Sequence, residues 1–225
     1  MAGMTDFQTI LEAAEARLGG AAALQQRLPA PKTGEELRAL GDDRYLSLVS
    51  LRTFQAGLSH SMVAAKWPAF EEVFQGFEPR RVRAMSDEDL ERLLGDKRLI
   101  RNGRKIMAIR HNAQAICVLA EEAGGFGAYL ADWPGDRIVE LWDDLVRRLS
   151  QMGGNSGPRF LRMAGKDTFV LSDDVVRALH RWEDLSGLPK GKAARARAQE
   201  VFNRWAAESG RPLCQISMTL ACSVD

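Results

Sequence analysis

Thr53-Phe54-Gln55-Ala56-Gly57-Leu58-Ser59-His60, continued as Trp67-Pro68-Ala69-Phe70 and Phe77-Glu78-Pro79, is the stretch on which the reading of this chain turns. Further along comes Leu99-Ile100-Arg101-Asn102-Gly103-Arg104-Lys105-Ile106. An amphipathic helix asks only for apolar residues at helical spacing. Here an apolar run carries an embedded Gln, then a Gly and a Ser, and a basic turn follows. That combination points to a pocket beside a polyanion site.

Outward from the block, the chain reads as helical nearly throughout. Phe7, Ile10, Leu11, Ala14 and Leu18 share one face over residues 5–18. Pro29-Ala30-Pro31 breaks the chain, and Thr33 followed by Glu35 and Glu36 opens a helix as an N-cap with acidic residues behind it. Asp42 and Asp43 start the next, Ser86 caps a short one, and Asn102 or Gly103 begins a long one that Gly124-Gly125 ends. Residues 136–149 are amphipathic again. Asp167 to Leu171 reads as an extended connection, after which Asp173-Asp174 caps a helix; residues 193–208 and 213–222 complete the chain. The pattern predicts an all-α protein. It is one compact helical unit over 1–225, in two lobes, with 1–30 as an N-terminal helical arm and 167–225 as C-terminal helices.

The 225 residues suffice for one good core or two small lobes. Formal charge is +1, so any nucleic-acid contact comes from a local basic patch rather than from net charge. Arg80 to Arg83, Arg98 to Lys105, Arg147-Arg148 and Lys190 to Arg197 are candidates, each readable also as a solvated helix face. Cys117, Cys214 and Cys222 form no C-x-x-C pair and read as reduced thiols. Asp6, Glu12 and Glu15 interrupt the N-terminal apolar residues, against a signal peptide. No apolar run reaches the ~18 residues of a membrane span. A cytoplasmic protein with no membrane partner is expected.

Leu149 to Met163 reads L-S-Q-M-G-G-N-S-G-P-R-F-L-R-M, a Gly-rich turn between two helices. Such a turn frees backbone N–H groups and lets a phosphate approach closely. Gly154, Asn155, Ser156 and Gly157 are the expected contacts, with Arg159 adding charge. Asn155-Ser156-Gly157-Pro158-Arg159 matches the end of the helix-hairpin-helix turn L-P-G-x-G-P-K, with Asn155 where a left-handed Gly would stand. An ordinary helix–helix turn would carry the same residues.

Residues 41–164 resemble the 3-methyladenine DNA glycosylase I (Tag-like) family. Gln55-Ala56-Gly57-Leu58-Ser59 carries most of the likeness; Phe70 and Phe74, Phe77-Glu78-Pro79, Ile100-Arg101-Asn102 and Asn112-Ala113 add to it, and the hairpin of 149–163 follows. The resemblance implies an all-helical, two-lobed helix-hairpin-helix DNA glycosylase fold. It implies a monofunctional, cofactor-free N-glycosylase of base-excision repair that flips an alkylated purine such as 3-methyladenine out of double-stranded DNA and hydrolyses its glycosidic bond. The protein is expected to work as a monomer. A catalytically altered DNA-binding member of the same fold is the alternative.

The resemblance also implies where the base lies. Phe54, Gln55, His60, Arg52 and Trp67 are the pocket candidates, although aromatic residues at helical spacing also build cores, and His60 reads equally as surface. Arg101 and Lys105, at a helix start, are candidates for a phosphate. Two positions depart from the family. Arg52 stands three residues before Gln55, where a Glu recognises the base, and His60 stands where a Trp follows the Ser. Arg has no acceptor with which to take an adenine amino group. The family's two-Cys, two-His zinc set is missing: the histidines are His60, His111 and His180, and no Cys partners one at ligand spacing, so no metal is expected. Asp167 to Arg177 is similar to the segment bearing the catalytic Asp in other superfamily glycosylases. There the carboxylate stabilises positive charge on the sugar, a role open to Asp173 or Asp174.

Overall fold

In the computed structural model, which describes residues 5–185 and 191–225, every regular element is helical. In chain order these are α1 (Phe7–Leu18), α2 (Ala21–Gln25), α3 (Gly34–Ala39), α4 (Asp42–Gln55), α5 (His60–Val73), α6 (Pro79–Arg83) and α7 (Asp87–Gly95). Then follow α8 (Gly103–Ala123), α9 (Phe126–Asp132), α10 (Ile138–Arg148), α11 (Ser156–Ala164), α12 (Asp173–Glu183), α13 (Lys192–Ser209) and α14 (Leu213–Cys222). Lys190, in the basic run before α13, lies outside the described residues.

Local chemistry sets most of the ends. The Thr33 hydroxyl accepts from the Glu36 N–H while the Glu36 carboxylate accepts from the Thr33 N–H, and Ser86 and Asp89 repeat the reciprocal cap at α7. The Asn102 side chain accepts from the Lys105 N–H at 3.1 Å, so Gly103 opens α8. One start differs from expectation. Ser172, not an aspartate, caps α12 by accepting from the Val175 N–H; Asp173 and Asp174 occupy the first turn, where the helix dipole favours them. Asp42 opens α4 as expected, and its carboxylate accepts from the Phe126 N–H at 2.9 Å, satisfying the start of α9 rather than its own helix.

The chain divides into two compact units. One combines the chain up to Pro31 with Pro134–Leu141 and Gly165–Asp225. In it α1 packs on α13 and α14, and α12 also packs on α14. Phe169 stacks on Phe202 with centroids 4.0 Å apart. Residues 167–171 form no helix, and the Asp167 carboxylate accepts from the Leu213 and Cys214 N–H groups at 2.9 and 2.8 Å. That carboxylate caps α14, whose preceding Pro212 supplies no side-chain cap.

The second unit comprises Lys32–Trp133 and Trp142–Ala164. Its centre is α4, packed on α5, α8, α9 and α11. Tyr45, Phe54, Phe70, Phe74, Phe77, Ile106, Ile116, Leu145 and Phe160 are fully buried around it. Burial of each such side chain contributes roughly 1.5–3 kcal/mol. The Tyr45 hydroxyl donates to the Leu37 carbonyl at 2.7 Å, and burial pushes its pKa up to about 12.

Candidate functional site

The block at 53–60 is the end of one helix, a turn, and the start of the next. Gln55 ends α4, and Gly57 takes the left-handed conformation (φ 75°) that a Cβ would strain. Ser59 then caps α5 by accepting from the Met62 N–H, and His60 is the first residue of that helix, exposed to solvent. Gln55 is half-buried beside the turn.

Of the expected pocket walls, Phe54 is core and Trp67 is half-buried against the same ring cluster. Phe54 has no solvent exposure; it meets Phe70 edge-on at 4.7 Å and Trp67 at 6.4 Å. Trp67 is stacked on Phe70 and on Phe77, at 5.0 and 5.4 Å, and its indole N–H donates to the Ser47 hydroxyl at 3.1 Å. Those rings already have partners, so neither offers a face to a base. The reason lies in α4 and α5 themselves, whose apolar stripes meet here.

Lys105 stands in the first turn of α8. It is half-buried, and its ammonium donates to the carbonyls of Ala56 (2.7 Å) and Phe54 (3.3 Å). These are carbonyls that the end of α4 leaves without helical partners. Burial first, and the Arg52 charge second, lower the Lys105 pKa from its ordinary value. Arg101, just before the N-cap of α8, is exposed.

Arg52 lies in the last turn of α4 and is only 8% exposed. Its Nε is shut off from solvent and has no hydrogen-bond partner among the described residues. Burial lowers its pKa, and the charge of Arg159 on α11 lowers it further. Arg52 on α4 thus feels the charge of Arg159 on α11, and Lys105 on α8 feels that of Arg52.

The hairpin turn joins α10 to α11. Gln151 and Gly154 take left-handed conformations there (φ 65° and 58°). Asn155 does not, contrary to the expected correspondence; its carbonyl instead accepts from the Arg159 N–H at 3.1 Å, one turn into α11. The Ser156 and Gly157 N–H groups are taken by the carbonyls of Gly153 and Met152, both at 3.1 Å, and both residues are buried. They shape the turn rather than face a ligand. A Cβ at Gly157 would lie 3.2 Å from the Met152 carbonyl, which explains the glycine. Gln151, Gly153, Gly154 and Arg159 are the exposed members.

Asn112 on α8, buried, locks this turn in place: its amide oxygen accepts from the Ser150 N–H (2.7 Å) and its amide nitrogen donates to the Ser150 carbonyl (3.3 Å). A buried amide on an otherwise apolar helix face is the signal by which the sequence could have assigned it that role.

Asp173 and Asp174 belong to the other unit, exposed on the first turn of α12. Asp174 is paired with Arg177 at 2.6 Å, and Arg177 also donates to the Asp225 carbonyl. No ion pair engages Asp173 among the described residues.

Comparison with known proteins places this geometry. The family model for methyladenine glycosylases matches residues 37–151, just over half of the chain. DNA-3-methyladenine glycosylase 1 of Escherichia coli is 36% identical over 83 residues, 37% of this chain and 44% of that protein. The chain thus spans less than half the length of the curated relatives it matches. A crystal structure of 3-methyladenine DNA glycosylase I aligns with a TM-score of 0.51 and 26% identity, covering 64% of this chain and 86% of that one. Methanocaldococcus jannaschii 8-oxoguanine glycosylase/lyase, solved with a 15mer DNA containing 8-oxoguanine, aligns at 0.52 over 94% of this chain and 95% of that one. At 13% identity this second likeness concerns the helical fold alone. An all-α helix-hairpin-helix scaffold, the Gln55–Ser59 turn and a match through the start of the hairpin together establish that the chain belongs to the methyladenine glycosylase family.

Proposed function

We propose that this protein is a DNA N-glycosylase of base-excision repair that hydrolyses the glycosidic bond of an alkylated purine in double-stranded DNA. The observation that carries the reading is the hairpin: an Asn112-locked turn with Gly153, Gly154 and Arg159 exposed, in a chain of the methyladenine glycosylase family. Exposed backbone N–H groups at such a turn suit a phosphate of the DNA backbone.

In the reaction the bond from sugar C1′ to the base nitrogen breaks, its electron pair leaves with the base, and water oxygen adds to C1′ and gives up a proton. A purine alkylated on a ring nitrogen is cationic, so its departure neutralises it. The protein has to stabilise positive charge on the sugar, and a carboxylate does that. Asp173 is the better candidate, because Asp174 is already neutralised by Arg177. Gln55 and His60 are the residues of the family turn still available to meet a base.

Incubation with methylated duplex DNA and chromatography of the supernatant tests this. Free 3-methyladenine or 7-methylguanine above the no-enzyme background is expected. Intact duplex binding without any released base would favour the second reading, a DNA-binding member without excision, to which Arg52 in place of a base-accepting carboxylate lends weight. A monomer acting in the cytoplasm completes the proposal, and sedimentation at working concentration checks the first part. Among the described residues no helix is long and apolar enough to cross a membrane.

A further inference from the structure

Arg52 has no place in the excision chemistry as described, yet it is the most unusual charge in the molecule. A guanidinium more than nine-tenths buried ordinarily sits against a carboxylate or a set of carbonyls. No ion pair or hydrogen bond engages Arg52 among the described residues, and the two charges acting on it and through it, Arg159 and Lys105, are both positive. Lys105 is itself held by two carbonyls at the end of α4, which leaves one of its three N–H groups uncommitted.

We propose that Arg52, Lys105 and Arg159 together form a binding site for a phosphate group. Three features converge. A planar guanidinium presents a fork that matches phosphate oxygens. Lys105 and Arg159 sit in the first turns of α8 and α11, whose N-terminal dipole ends favour an anion. Arg159 is exposed while Arg52 is buried, so the site opens on the Arg159 side, next to the hairpin. An anion there would compensate a cation that the folded chain otherwise holds alone. The phosphate has two possible sources, a phosphodiester of bound DNA or free phosphate, and the chemistry of recognition is the same for both.

The test is thermal unfolding of the full chain titrated with inorganic phosphate against chloride at matched ionic strength. A ligand that binds only the folded state raises the midpoint in proportion to ln(1 + [L]/Kd). The wild type is expected to rise with phosphate, linearly in the logarithm of its concentration above Kd. Arg52→Met is expected to start from a higher midpoint and not to respond. Arg159→Gln, at an exposed position that leaves folding intact, is expected to need about tenfold more phosphate for the same rise, the weight of one charge-assisted contact. Repeating the titration with undamaged duplex separates the sources: loss of the phosphate response assigns the site to a phosphodiester, and an additive response assigns it to free phosphate. Equal responses in wild type, Arg52→Met and Arg159→Gln, or no response in the wild type, would overturn the site. None of these readouts needs base release, so a failure of excision and a failure of this site are seen separately.

Discussion

Arg44 and Arg52 lie on the same helix, two turns apart, and their surroundings are opposite. Arg44 donates to both oxygens of Glu71 at 3.1 and 3.0 Å, to Asp43 at 2.8 Å and to the Gly76 carbonyl at 2.5 Å. Glu71 first, and Asp43 after it, raise its pKa. Arg52 is more deeply buried, pairs with no acceptor and has its pKa lowered. A paired, part-exposed arginine ties α4 to the segment after α5. An unpaired buried one does nothing for the free fold, since desolvating a charge without a partner costs free energy. The difference separates an arginine kept for architecture from one kept for a ligand.

Four changes would break or sharpen that contrast. The largest effect on stability is expected from Glu71→Ala, which takes the main partner from Arg44 and the acceptor from the Ser47 hydroxyl at 2.6 Å. A loss of about 2 kcal/mol in urea unfolding is expected, since hydrogen bonds to charged groups are worth about 1.5–3 kcal/mol and this pair is part-exposed. Arg52→Met should move the other way, a gain of about 1 kcal/mol in the absence of phosphate, because an apolar side chain of similar length replaces an uncompensated buried charge. A destabilisation of that size would mean that Arg52 has a structural partner after all.

Arg159→Gln tests the open end of the site. Its binding to undamaged duplex should weaken uniformly with sequence, and the slope of log K against log salt should fall by about 1. An unchanged slope would remove Arg159 from the interface. The smallest effect concerns Lys105. Its folded pKa lies below the unfolded value of 10.5, so in that interval the unfolded chain binds more protons and stability rises with pH. Wild type should therefore gain slightly on Lys105→Met as pH climbs towards 10.5. A flat difference up to 10.5 with a loss above it would show that the folded state raises the Lys105 pKa instead.

Legibility in the sequence tracks how local the cause is. The caps at Thr33, Ser86 and Asn102 were readable because side chain and N–H are three residues apart. The start of α12 misled because Ser172 and both aspartates are all good capping residues, and only the geometry picks Ser172. Helices α2, α6 and α9, of five, five and seven residues, are too short to display a helical period and went unassigned. At the site, Gln55 to Ser59 and the hairpin stood out as motifs. What could not be read was long-range. Asn112 holds Ser150 across 38 residues, Lys105 holds Ala56 across 49, and the stacking that removes Trp67 from the pocket depends on Phe77 folding back on α5. Arg52 was visible as a departure, but not as a buried charge.

Single-turnover release of free base from a duplex carrying 3-methyladenine tests excision, and the role of Asp173 in it, most directly. With Asp173→Asn beside the wild type, the account predicts release by the wild type and at least ~100-fold slower release by the variant, the weight expected of a catalytic carboxylate. Duplex affinity of the variant should stay within about twofold, since an exposed first-turn side chain adds little to phosphate contacts. Release at the wild-type rate from both Asp173→Asn and Asp174→Asn, or no release from the wild type on any alkylated purine, would contradict it.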